Sequence, residues 1–318
     1  MSVFSAAVCT FLKRRANSDC TPGTLRRYES ELNIWQQWRK NQHLPDDLTT
    51  ITTEELQQFF DYLRRERIPY EHSTVRPAAQ QRGLSANSRD GYYRTIRAFI
   101  NWCIAEELVC EQCIRFARIP RPKIIQIPRQ TYSEDDIDSL IQACDECGLE
   151  ARYRNRSIIF LLLESGIRVK ELCELTDELV DLKKRRACIQ GKGGKYRYIF
   201  WFDQTAEALD CYLQYRQGSA GGALFRSARY KSFGALTTNG VRGLFMRLSQ
   251  RSGVHLAEGA PIHALRHTFA HRMLEQGADI SQVSQMLGHS SIEVTMRYLR
   301  ESPTKLQQIY ERIMNTKD

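Results

Sequence analysis

The sequence predicts a mostly α protein of two domains, the second a mixed α+β domain carrying a small antiparallel sheet, and three observations carry that expectation. Apolar residues recur at three- and four-residue spacing behind Ser or Thr caps along most of the chain. A basic, proline-rich stretch at 118–131, R-I-P-R-P-K-I-I-Q-I-P-R-Q-T, has no helical period and interrupts that pattern. Two short runs, 187–190 and 196–202, flank a Gly-Lys-Gly-Gly-Lys turn whose glycines can supply positive φ angles. At 318 residues the chain is long enough for two cores. The expected division is a helical domain at 1–117, a linker at 118–131 and a second domain at 132–318.

In the first domain, Phe4, Val8, Phe11 and Leu12 mark a short helix within 1–19. Thr21 caps the next, with Pro22 at its first position and Leu25, Tyr28, Leu32, Trp35 and Trp38 on one side; the tryptophans read as core, not as base-stacking platforms. Thr52 and Glu55 form a capping-box signature opening a helix to about Arg65, with Leu56, Phe59, Phe60 and Leu63 inward. Residues 67–83 contain two prolines, show no period and read as a polar loop without an assignable role. Ser85 caps a helix in which Tyr93, Ile96, Phe99, Ile100, Trp102 and Cys103 alternate with Arg89, Arg94 and Arg97. Those arginines fit a nucleic-acid face and a solvated face equally well.

The second domain opens on Ser133 and Asp136, a helix cap ahead of Ile137, Leu140 and Ile141. The run 158–163 is a buried helix, far too short to cross a bilayer. It leads to Ser165-Gly166-Ile167-Arg168, where the glycine lets the backbone turn so that Arg168 leaves an apolar helix. Glu171 either orients Arg168 or is solvated. Thr237 and Thr238 cap a helix to about Arg251, with Val241, Leu244, Phe245 and Leu248 inward and Arg242 and Arg247 outward. Helices then carry His263-Ala-Leu-Arg-His-Thr268 and Leu287-Gly288-His289, where Gly288 ends one helix and His289 projects from it. Past Pro303, Leu306, Ile309, Tyr310 and Ile313 form a last apolar stripe in need of a partner.

Formal charge is +9, with 46 Lys and Arg against 37 Asp and Glu and a pI near 9.1, which favours a polyanionic partner through counterion release. The N-terminus lacks the charged start and long apolar core of a signal peptide, so a cytoplasmic protein without membrane attachment is expected. Ten cysteines then read as reduced thiols. Two C-x-x-C pairs, Cys110/Cys113 and Cys144/Cys147, raise a zinc site against simple burial; their separation exceeds ribbon spacing and the second pair sits in a helical pattern, which favours burial.

The strongest chemical signal lies between His263 and Tyr298, which follows His289 by nine residues. An arginine fork grips two phosphate oxygens, and imidazoles donate or shuttle protons near neutral pH. A phenol, with a pKa near ~10, becomes a nucleophile only beside a base in a cation-rich pocket. Arg266, His263, His289 and Tyr298 together suit a tyrosine attack on a gripped phosphodiester.

With Ser165-Gly-Ile-Arg-Val-Lys-Glu-Leu172 and Gly191-Lys-Gly-Gly-Lys195 upstream, five motifs in order over 165–298 resemble the tyrosine recombinase (phage integrase) family, in its Xer- and Cre-like form. The resemblance implies Arg168 and Arg266 as the phosphate clamp, Lys192 as general acid, His263 and His289 as proton-handling partners and Tyr298 as nucleophile. Lys192 is preferred to Lys195 because the family places its lysine first in this turn. The chain departs from the family where Phe200-Trp201 replaces the usual proline closing the second strand.

The resemblance further implies a SAM-like core-binding domain whose Ser85 helix faces DNA, and a linker tracking the duplex backbone. The implied chemistry is strand cleavage through a 3′-phosphotyrosyl intermediate and exchange through a Holliday junction, without metal or cofactor. It implies a homotetramer on two paired duplex sites, with the C-terminal tail docking in trans. With no arm-binding domain ahead of residue 20, a simple core site is expected. A type IB topoisomerase-like nicking and closing enzyme and a catalytically silent DNA-binding relative are the alternatives. Target sequence, biological setting, and need for a second recombinase or an accessory DNA-bending protein are not legible.

Overall fold

The computed structural model describes residues 2–18, 20–71, 81–124, 130–191, 194, 196–216, 221–227, 234–256, 261–289, 295–296, 311 and 314. The chain forms two compact units, Met1–Ile127 and Pro128–Asp318. Among the described residues, four α-helices build the first: α1 (Val3–Ala16), α2 (Pro22–Asn41), α3 (Thr53–Arg65) and α4 (Ala86–Ala105). Each begins where a hydroxyl side chain, from Ser2, Thr21, Thr52 or Ser85, accepts the backbone N–H three residues on. Such a cap stabilises a helix by about 1 kcal/mol. Phe4, Phe11, Leu32, Trp35, Phe59 and Phe99 fill the core between them. Trp35 meets Phe4 edge-on, with ring centroids 5.2 Å apart at 83°.

One cap differs from the sequence pattern. Thr52 caps α3 as expected, but Glu55 does not close the box; its carboxylate lies 3.0 Å from the Arg39 guanidinium, both side chains buried. A buried carboxylate gains more from a cation than from one more amide N–H. On α4, Asp90 is 3% exposed and pairs with Arg94 at 3.0 Å and Arg121 at 2.7 Å. Arg97 is exposed. The span 118–131 thus begins packed on the first unit, where Ile119 also joins the core.

The second unit contains α5 (Glu134–Gln142), α6 (Leu149–Ser165), α7 (Val169–Cys173), β1 (Val180–Asp181), β2 (Arg186–Gln190), β3 (Tyr196–Phe200), α8 (Asp203–Tyr215), α9 (Thr238–Ser252), α10 (Pro261–Glu275) and α11 (Ile280–Leu287). Ser133 and Asp136 form a complete capping box on α5. Helix α6 is the buried axis, with Ile158, Ile159 and Leu162 fully excluded from solvent. The sheet is antiparallel in the order β1-β2-β3, with Ala187 opposite Ile199. Strand β1 was not legible because two residues show no period. Strand β3 stops at Phe200, where Trp201 turns into the core and Phe202 opens α8.

Cys110 and Cys113 are exposed on a 3-10 turn of the first unit, whereas Cys144 is buried in the second, its thiol pushed up to about 12 by burial. Among the described residues no group of three or more His, Cys, Asp or Glu could hold a metal, and no helix is long and apolar enough to cross a membrane. Lys192, Lys195, Tyr298, the 72–80 part of the polar loop and the stripe from Leu306 to Ile313 lie outside the described residues.

Candidate active site

The site begins where α6 ends. Gly166 takes φ +58, a left-handed conformation, and a Cβ there would stand 2.4 Å from Phe269 Cδ1 and 2.8 Å from Leu287 Cδ2. Only glycine satisfies both the dihedral and the space. Two residues on, Arg168 precedes α7; its backbone N–H donates to Glu171 Oε2 (2.9 Å) and its Nη1 to Glu171 Oε1 (2.8 Å). The turn that releases the arginine from α6 also supplies the carboxylate that aims it.

A second glycine closes α11. Gly288, at φ +63, lets its own N–H reach Gln285 O and the His289 N–H reach Ser284 O, both at 3.0 Å, the Schellman closure. The next three carbonyls each receive a guanidinium from a different part of the chain. Arg197 Nε donates to Met286 O (3.0 Å), Arg266 Nη2 to Leu287 O (2.6 Å) and Arg168 Nη2 to Gly288 O (3.1 Å). A helix C-terminus carries about half a negative charge, so cations are stabilised there. Arg266, 2% exposed, also donates from Nη1 to Gly166 O at 2.5 Å and thereby ties the α6 turn to the α11 turn.

Three cations this close repel one another unless anions intervene. Glu171 is the anion. It is 7% exposed and accepts from Arg168 and, in a two-pronged contact, from Arg197 Nη1 (3.0 Å) and Nη2 (2.8 Å). Burial alone would raise its carboxyl, but the hydrogen bonds from Arg197 and Arg168 outweigh it and hold the group down at about 2. Among the described residues, three guanidinium groups against one carboxylate leave a cationic site suited to a phosphodiester.

His289 leaves the Gly288 turn with Nε2 3.0 Å from Arg266 Nη2 and Nδ1 2.7 Å from Thr295 Oγ1. A guanidinium has no lone pair, so Nε2 is the acceptor and the ring proton sits on Nδ1, donated to the threonine. Arg168 spends two of its five N–H groups on the described protein partners and is 29% exposed, so the rest of its fork is open to a ligand.

The structure therefore brings Arg168, Arg266 and His289 together and resolves Glu171 as an orienting group rather than a solvated one. His263 sits on α10 three residues before Arg266, exposed, its ring 5.9 Å from that of His267. Lys192 and Tyr298 are outside the described residues. Arg197 escaped the sequence reading. A signal was there: Arg197 is in phase with inward Ile199 and Trp201, while Tyr196, Tyr198 and Phe200 face solvent at 70%, 50% and 56% exposure. A charge on the buried side of a strand needs partners.

Residues 130–305 match the model of the phage integrase family, and residues 4–119 that of the phage integrase SAM-like domain. Tyrosine recombinase XerC of Anoxybacillus flavithermus is 32% identical over 267 residues, covering 80% of this chain and 86% of that protein. The XerC of Bacillus subtilis is 30% identical over 242 residues, covering 73% and 76%. Among solved structures, the Tn1549 transposon integrase in complex with a circular intermediate DNA superposes with a TM-score of 0.71 at 18% identity, covering 96% of this chain and 99% of that one. A lambda integrase dimer bound to a COC′ core site gives 0.67 at 21%, covering 92% and 97%. At these identities the solved structures establish the shared fold.

Proposed function

This chain belongs to the phage integrase family and is a tyrosine recombinase, an enzyme of site-specific DNA recombination; we propose the following roles for its residues. Tyr298 attacks the scissile phosphodiester, its phenol proton passing to a proton-handling histidine of the site as its oxygen bonds to phosphorus and the bond to the 5′ oxygen breaks. Lys192 gives its proton to that departing oxygen. The product is a 3′-phosphotyrosyl linkage with a free 5′ hydroxyl. A 5′ hydroxyl from the paired site then attacks the linkage, releases Tyr298 and builds a Holliday junction, and a second round resolves it. The energy of the broken bond is kept in the phosphotyrosine, so no external energy source enters.

The observation that carries this reading is the convergence of Arg168 and Arg266 on the successive carbonyls of Gly288 and Leu287. Negative charge accumulates on the phosphorane as the phenol attacks, and preorganised donors aimed at such charge are each worth about 3–4 kcal/mol. Arg266 is fixed by Gly166 O and Leu287 O before substrate arrives, which removes the cost of reorganising it. His289 and His263 act as hydrogen-bonding and proton-handling partners. The helical N-terminal domain at 1–117 grips the core site, 118–131 spans to the catalytic domain at 132–318, and four copies assemble on two paired sites in the cytoplasm.

The test is recombination in a chelating buffer. A plasmid carrying two copies of the mapped site should yield recombinants and junction intermediates with protein joined to 3′ phosphate. Equal supercoil relaxation on plasmids with or without a paired site would instead indicate a nicking and closing enzyme.

A further inference from the structure

We infer that Arg197 is a positioning residue for the phosphate clamp: through Glu171 it sets the aim of Arg168, and through Met286 it fixes β3 against the α11 turn. The inference rests on the reading of Arg168 as a clamp residue.

Arg197 lies on the inward side of β3, 11% exposed, and all three of its guanidinium nitrogens meet protein: Nη1 and Nη2 the two oxygens of Glu171, Nε the carbonyl of Met286. It therefore presents its fork to a carboxylate rather than to a substrate. Both oxygens of that carboxylate are shared, Oε1 with Arg168 Nη1 and Oε2 with the Arg168 backbone N–H. A carboxylate on α7 alone could rotate about its own side chain; one gripped by a fork from another element cannot without breaking two charge-assisted bonds. Arg168 inherits that restraint.

Two further observations support it. A Cβ on Gly288 would stand 2.9 Å from Arg197 Nη1 and 3.0 Å from its Cζ and Cδ, so the closing glycine of α11 also makes room for Arg197 to lie across the turn. And Lys192 precedes Arg197 by five residues in the sequence. The strand following the proposed general acid is thus pinned to the carboxylate that aims the clamp.

Lysine keeps the charge but has no planar fork, so Arg197→Lys separates geometry from charge. Single-turnover cleavage of a nicked duplex site should fall about 100-fold, the scale expected for a reacting group displaced by about 1 Å. Affinity for the site, by mobility shift, should change less than about threefold. A pH profile distinguishes positioning from general support. Among the described residues the charged groups facing Glu171 are Arg168 and Arg197; with Arg197→Gln, Arg168 alone opposes burial and the carboxyl protonates at higher pH, releasing Arg168. Cleavage by Arg197→Gln should therefore drop on the acid side where the native enzyme is flat, and the double variant Arg197→Gln/Glu171→Gln should lose that acid dependence. Rates are taken per folded molecule from parallel melting curves. Native-rate cleavage by Arg197→Lys, or an acid limb that survives in the double variant, overturns the inference. A native protein that forms no covalent adduct defeats the underlying reading instead.

Discussion

Replacing Gly166 with alanine tests the geometry from which the clamp is built. Two costs add. An L-residue at φ +58 is disfavoured by about 1–2 kcal/mol. The new methyl also falls 2.4 Å from Phe269 Cδ1 and 2.8 Å from Leu287 Cδ2, and with Phe269 6% and Leu287 0% exposed neither side chain can swing into solvent. Overpacking of that kind costs about 1–3 kcal/mol. The sum, about 2–5 kcal/mol, corresponds to a fall in melting temperature of about 5–15 °C for a unit of this size. Gly222→Ala is the internal control. Its φ is +81 but nothing lies within 4 Å of its Cβ, so it should lose only the dihedral cost, about 1–2 kcal/mol. Urea unfolding followed by circular dichroism measures both. Cleavage by Gly166→Ala should fall further than the folded fraction, because Gly166 O and Leu287 O both hold Arg266. Equal losses in the two variants would refute the contact argument, and native stability in Gly166→Ala would refute both terms.

Glu171 makes stability depend on acid. Its carboxyl sits at about 2 in the fold against 4.5 ordinarily, so its contribution is complete above pH 4.5 and is lost as pH falls toward 2, about 3 kcal/mol in all. Glu171→Gln should remove that slope, and urea midpoints that stay parallel to native between pH 5 and 2.5 would contradict the assignment. Lys192→Ala should block cleavage of ordinary DNA but cleave a substrate with sulfur at the 5′ bridging position, whose departure needs no proton; failure of the sulfur substrate would make Lys192 structural and turn attention to Lys195→Ala. Truncation after Ser302 should leave a site-binding protein that no longer pairs sites, because the stripe Leu306, Ile309, Tyr310 and Ile313 would contribute about 5 kcal/mol to docking in a neighbouring subunit. Sedimentation on paired sites measures it, and tetramers from the truncated chain would rule out trans docking.

The helices were legible because their signals are local. Thr21, Thr52, Ser85, Ser133 and Thr237 announce starts, and Gly166 and Gly288 announce ends, each through one backbone bond or one dihedral. Arg168, Arg266 and His289 were legible as motif members, and their turns could be argued from adjacent glycines. What connects them was not. Glu55 prefers a guanidinium on another helix to its own cap, and Arg197 serves a carboxylate on α7 and a carbonyl on α11. Such pairings depend on which elements pack together, and a strand of five residues with aromatic side chains outward conceals which face is buried. The exposure of His263 likewise follows from how α10 lies on its neighbours, not from its place in the motif.

Tyr298 is the proposed nucleophile of the covalent step. A nicked duplex carrying the core site loses a short strand once cleaved and traps the intermediate, so a denaturing gel reads adduct formation directly. Native protein should give a DNA-protein band with the tyrosine joined to a 3′ phosphate, while Tyr298→Phe, binding the same duplex equally well, should give none. A covalent band from Tyr298→Phe would place the nucleophile elsewhere, with Tyr310 the next candidate, and would contradict the account.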